Sequence, residues 1–156
     1  MKKLPFFAII FFFLVTNCKN TKNTSLLINK VDEIRAYRIS IYINYFGDVP
    51  CKDIKTKRDV NIVKITDKEK IRDFIGVFED TNNFIVDSTQ KSIDARILFE
   101  YMQNGVVIET ICWSKFGLIY RNGNFLQGNS EVNKYLENQS LIYPFTVKLK
   151  KGYEKR

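Results

Sequence analysis

The chain of 156 residues contains no histidine, three prolines, seven glycines, three cysteines and one tryptophan. Without histidine the commonest general base and the commonest metal ligand are both missing, which excludes Ser-His-Asp and Cys-His catalysis and His-based zinc sites. With so little proline and glycine, no linker rich in either interrupts the body. No internal repeat with a period of about 20 to 50 residues is visible. The apolar run at residues 4–15 is twelve residues long, short of the roughly 20 that a spanning helix needs. No calcium-loop pattern is present.

What is present suits one folded domain. A hydrophobic share of 45% and a charged share of 27% argue against disorder, and the length allows a real core. The balance is basic, 25 Lys+Arg against 17 Asp+Glu.

Lys2 and Lys3 precede the apolar run, and a polar break ending at Cys18 follows it, which is the layout of a secretion signal. Within that break, Leu14-Val15-Thr16-Asn17-Cys18 resembles the lipobox of bacterial lipoproteins; the resemblance covers the first 18 residues. It implies removal of residues 1–17 and acylation of Cys18, with two or three chains, since one alone anchors marginally. It also implies export to the cell membrane or outer membrane, facing the periplasm or the exterior. Residues 18–25 are polar and aperiodic and read as a flexible tether, with a single globular domain over 26–156. Loss of the leader removes Lys2 and Lys3, leaving 23 basic against 17 acidic residues and a formal charge of about +6.

If Cys18 is acylated, Cys51 and Cys112 are the two thiols left, and an oxidising compartment makes them a disulfide candidate. Free thiols, Cys112 buried and Cys51 exposed, are the alternative. Neither has the basic neighbour and histidine of a catalytic cysteine.

Residues 37–45 alternate apolar and polar as a half-buried strand does, 53–58 read as a charged loop, and 60–65 as a second strand. Thr66 and Glu69 form a capping-box pattern ahead of a helix to about Glu79, with Ile71, Phe74, Ile75 and Phe78 on one face. Residues 80–92 are either a long connection or carry a short edge strand at 84–86. Strict alternation from Ile93 to Tyr101, then Asn104-Gly105, then 106–113 predicts a hairpin; 118–126 around Asn122-Gly123 repeats it. Ser130 is placed to cap a second helix with the stripe Val132, Tyr135 and Leu136. Residues 145–149 alternate as a last strand. The expected fold is α+β: a two-layer domain, a mainly antiparallel sheet of about five to seven strands with two helices on one face.

A regular two-residue turn at Asn104-Gly105 sets Glu100 opposite Glu109, Leu98 opposite Ile111 and Arg96 opposite Trp113. Glu100 and Glu109 would then need a cation, either a basic residue of the next strand or, if the pair is catalytic or metal-binding, a ligand. Leu98, Ile111 and Trp113 would share the face away from the core, beside Arg96, with Lys115, Tyr120 and Arg121 close in sequence. That face is a candidate partner-binding patch unless another element covers it. The densest basic run is residues 148–156.

These readings lead to an envelope-anchored lipoprotein, a non-enzymatic binding or structural module that needs no cofactor or metal. Its partners would be the membrane, through the lipid, and a protein or polyanionic envelope ligand; nucleic acid is not expected after export. The alternative is a periplasmic inhibitor or immunity-type protein that neutralises a toxin or enzyme.

Overall fold

Both Asn-Gly dipeptides adopt the conformation a tight hairpin requires. In a computed structural model, which describes residues 20–142, φ is positive at Asn104 and Gly105 (51° and 79°) and at Asn122 and Gly123 (49° and 82°). They join β4 (Ala95–Gln103) to β5 (Val106–Ser114) and β6 (Leu118–Arg121) to β7 (Asn124–Gly128). With β1 (Glu33–Arg38), β2 (Asn61–Ile65) and β3 (Phe84–Val86) they form one seven-stranded sheet in the order β2-β1-β4-β5-β6-β7-β3, antiparallel throughout. The α+β class expected from the sequence is the class observed. The leader, Cys18, the strand expected at 145–149 and the basic run at 148–156 lie outside the described residues.

Three helices cover one face of the sheet: α1 (Asn20–Lys30), α2 (Lys68–Glu79) and α3 (Ser130–Asn138). α1 was not foreseen. It occupies residues 20–25 of the stretch expected as a tether, and its Leu27 and Ile28 pack on the core. α2 buries Ile71, Phe74, Ile75 and Phe78, the stripe its spacing demanded. Its cap is Asp67, whose side chain accepts from Lys70 N at 2.9 Å, rather than Thr66; a carboxylate is the stronger cap. α3 is capped by Asn129, which accepts from the backbone N–H groups of Glu131 and Val132, one residue before the expected Ser130. Below the helices, Phe74 stacks on Phe78 with ring centroids 4.6 Å apart and meets Phe99 edge-on at 4.9 Å.

Tyr101 is wholly buried in this core, and its hydroxyl has no hydrogen-bond partner among the described residues. Burial pushes its phenol well above the ordinary tyrosine range. Tyr101→Phe removes an unpaired polar atom, so a stability gain of up to about 1 kcal/mol is expected in urea unfolding. A loss would show that the hydroxyl is satisfied.

Two irregularities decide what the other face contains. Met102 pairs with Val107, but Tyr101 pairs with Glu109, so Ile108 is an extra residue in β5. The bulge moves every later residue of β5 to the opposite side: Glu100 faces Thr110, Phe99 faces Ile111, Leu98 faces Cys112 and Ile97 faces Trp113. The regular register expected from the turn is therefore corrected. Side chains alternate with period two, so the choice lay between burying Ile111 with Trp113 or Thr110 with Cys112 under the helices. The larger apolar area wins. Arg96 is the extra residue of a second bulge, since Ala95 pairs with Ser114 and Ile97 with Trp113.

The strand expected at 37–45 ends at Arg38. Beyond it the carbonyls of Ser40 and Ile43 accept from Arg96 Nη1 at 3.1 and 2.9 Å instead of entering a ladder. The chain then crosses the second face, and residues expected as a charged loop form a 3-10 helix, Cys51–Thr56, with Ile54 buried beneath it.

Candidate functional site

The bulge dissolves the patch that sequence reasoning assembled. Leu98 lies on the second face, whereas Ile111 and Trp113 lie under the helices, and all three are buried. Trp113 donates Nε1–H to Asn133 Oδ1 at 3.1 Å, which ties β5 to α3. Arg96 does not stack on Trp113. It is buried over the Tyr45 ring at 5.1 Å and bonded to Asp94 at 2.6 Å. Lys115 sits in the β5–β6 turn over Phe116. Arg121 points to the helix side, and Tyr120 points to the second face.

Glu100 and Glu109 are separated in the same way, and each already holds a cation. Lys55 of the 3-10 helix binds Glu100. Glu109 accepts from Arg121 Nε at 2.6 Å, and Arg121 also binds Glu79. The pair is thus no acid-base dyad: the carboxylates lie on opposite faces of the sheet, each neutralised by a basic side chain. Among the described residues no group of three or more acidic or thiol side chains is arranged to hold a metal ion.

What the second face does present is a disulfide-pinned segment. Cys51 and Cys112 are bonded, with Cα atoms 5.9 Å apart, so the 3-10 helix is stitched to the middle of the sheet. A cross-strand row runs beneath it through Tyr37, Leu98, Cys112, Tyr120 and Phe125. The loop leading to the disulfide is held by polar contacts as well. Tyr45 donates to Asp59 at 2.5 Å, and Asp59 also accepts from Ser40 N at 3.1 Å. Burial, together with the Asp59 carboxylate, raises the Tyr45 phenol above its usual range.

The outer surface of this segment is basic. Residues 51–64 carry Lys52, Lys55, Lys57, Arg58 and Lys64 against Asp53 and Asp59. The Lys55 ammonium lies 4.6 Å from the Tyr37 ring centroid and the Lys57 ammonium 5.1 Å from that of Tyr45, so both charged heads rest on aromatic faces. Lys52 and Arg58 are exposed. Where the segment begins, an open groove of about 480 Å³ lies between Pro50, Cys51 and Ile93 on one side and Tyr120 and Phe125 on the other. Those two rings are 5.0 Å apart.

Sequence reasoning placed Tyr120 among the candidates but missed Tyr37, Tyr45, Lys55 and Phe125. Four basic residues within 52–58 were a legible signal; their aromatic supports come from strands and loops remote in sequence. Among the described residues no helix is long and apolar enough to cross a membrane.

Searches of protein families, of curated proteins and of solved structures find no match to this chain.

Proposed function

We propose that the protein is an exported, lipid-anchored module that binds a polyanionic ligand of the bacterial envelope without catalysing a reaction. The observation that carries this reading is the cluster of cations on the disulfide-pinned segment, Lys52, Lys57 and Arg58, flanked by Lys55 and Lys64, which already pair with Glu100 and Glu33. A binding surface benefits from being fixed before the ligand arrives, because less conformational freedom is then lost on association. The disulfide and the Tyr45–Asp59 contact supply that fixation. A disulfide also suits an exported protein better than a cytosolic one. Cys18, through its lipobox, would provide the anchor.

Two measurements test the two halves of the reading. Cells expressing the chain, fed a fatty-acid analogue, should label the wild type and not Cys18→Ala; an unlabelled wild type removes the anchor. Retention of the purified protein on immobilised polyphosphate should fall by about tenfold or more in Lys52→Glu/Arg58→Glu, but little in a Lys134→Glu control on α3. Equal retention of the two variants removes the basic band. Binding to anionic vesicles but not to polyphosphate replaces the polymer with the membrane surface. Stoichiometric capture of one protein would favour the inhibitor alternative.

A further inference from the structure

We propose, building on the polyanion-binding reading above, that the groove at the start of the disulfide-pinned segment binds an acidic polysaccharide. One sugar ring lies on the Tyr120 and Phe125 rings, and its anionic group meets Lys91. At about 480 Å³ the groove falls within the roughly 300–1,000 Å³ of small-ligand sites. One wall carries Asp48, Lys91 and Ser92, and the β6–β7 hairpin supplies Tyr120 and Phe125 on the other.

The lining joins an apolar floor to a polar rim. Tyr120 and Phe125 are half-buried, with ring centroids 5.0 Å apart, and the buried Ile93 lines the same groove. At the rim Asp48 accepts from the Ser92 hydroxyl at 2.6 Å, which leaves lone pairs on the carboxylate for a further donor. A pyranose has the matching chemistry: a face of C–H groups that packs on an aromatic ring, and a girdle of hydroxyls that needs acceptors and donors. An acyl chain would strip water from Asp48, Ser92 and Lys91 without replacing the lost hydrogen bonds.

The cations set the charge of the occupant. Lys91 is exposed and takes part in no ion pair among the described residues. From Cys51 in the groove wall the chain continues into Lys52, Lys57 and Arg58, so an extended polymer leaving the groove along this segment follows a positive surface. Asp48 is the acidic side chain of the lining, and a sugar hydroxyl suits it rather than the anionic group. Both walls are fixed before a ligand arrives. The Cys51–Cys112 bond and the 2.9 Å hydrogen bond from Ala95 N to Val49 O hold one, and the tight Asn122-Gly123 turn shapes the other.

Calorimetric titration of the purified full chain with a trimer of galacturonic acid tests the site, with the neutral galactose trimer and inorganic polyphosphate as comparisons. The acidic trimer should bind at least about tenfold more tightly than the neutral one. Lys91→Glu, on an exposed loop, and Phe125→Leu, which keeps apolar volume but removes the ring face, should each weaken it by about tenfold or more and change polyphosphate binding far less. Asp48→Ala separates recognition of a sugar from attraction between charges: it should weaken the trimer, although loss of a negative charge strengthens a purely electrostatic contact. If Phe125→Leu melts early, Lys91→Glu and Asp48→Ala decide. A trimer bound equally by the wild type and these variants, bound more tightly by Asp48→Ala, or matched by its neutral counterpart overturns the proposal. Polyphosphate binding without trimer binding overturns the groove alone and leaves the cation cluster standing. Trimer binding without polyphosphate binding keeps the groove and overturns the cluster.

Discussion

Cys51→Ala is expected to lower the unfolding free energy by about 4 kcal/mol. The bond closes a loop of 61 residues, and in the chain-entropy account releasing a loop of that length returns roughly this much freedom to the unfolded state. Folded-state losses act in the same direction. Cys112 would remain as a buried thiol in the cross-strand row, and the 3-10 helix over Ile54 would lose its tie to the sheet. For a domain of this size that loss is a large share of total stability. Guanidinium unfolding of the wild type with and without reductant, beside the variant, checks it. Reductant should bring the wild type to the variant's midpoint and leave the variant unmoved. A wild type indifferent to reductant would mean that the polar contacts around Tyr45, Asp59 and Arg96 hold the second face alone. The same variant should bind polyanion more weakly while keeping its helix content, since the basic band is carried by the segment that the bond fixes.

The disulfide was readable as a candidate because of a count: if Cys18 takes the lipid, Cys51 and Cys112 are the two thiols left, though the count alone left free thiols open. The hairpins were readable because Asn-Gly at 104–105 and 122–123 determines its own backbone. The α2 stripe was readable because a period of 3.6 is local. Sidedness in β5 was different. The turn at Asn104-Gly105 predicts one register and the burial of Ile111 and Trp113 dictates another, and the conflict is resolved by the bulge at Ile108. That outcome depends on the helices packed over the sheet, about which 106–113 carries no information. Once the register moved, the proposed patch of Leu98, Ile111 and Trp113 came apart. The same shift put Cys112 on the face where Cys51 waits. A cation was expected at Glu100 because of an opposing Glu109; that pairing does not exist, and the cation Glu100 does hold is Lys55 of the 3-10 helix, 45 residues away in the chain. No local pattern marks α1 either: its helix lies in a polar stretch, and Leu27 and Ile28 gain their value only against the core.

Arg121→Met is expected to cost about 3 to 5 kcal/mol, the usual penalty for removing one partner of a buried ion pair. Its guanidinium is mostly buried and makes three contacts: Glu109 at 2.6 Å, Glu79, and the Phe78 carbonyl at 2.8 Å. Burial works against its charge, but the two carboxylates outweigh that effect and hold its pKa above the ordinary arginine range. The contacts join β5 and β6 to the last turn of α2, where unpaired helix carbonyls also favour a cation. Methionine keeps much of the volume, so the loss comes chiefly from the two carboxylates left without a counter-charge. Arg121→Met/Glu79→Gln/Glu109→Gln should therefore recover most of the stability, because the buried charges disappear together. Urea midpoints of the single and triple variants measure it. Recovery by the triple variant assigns Arg121 to charge balance at the α2 end of the sheet. A triple variant as unstable as the single one would instead assign it to the Phe78 carbonyl and the shape it fills.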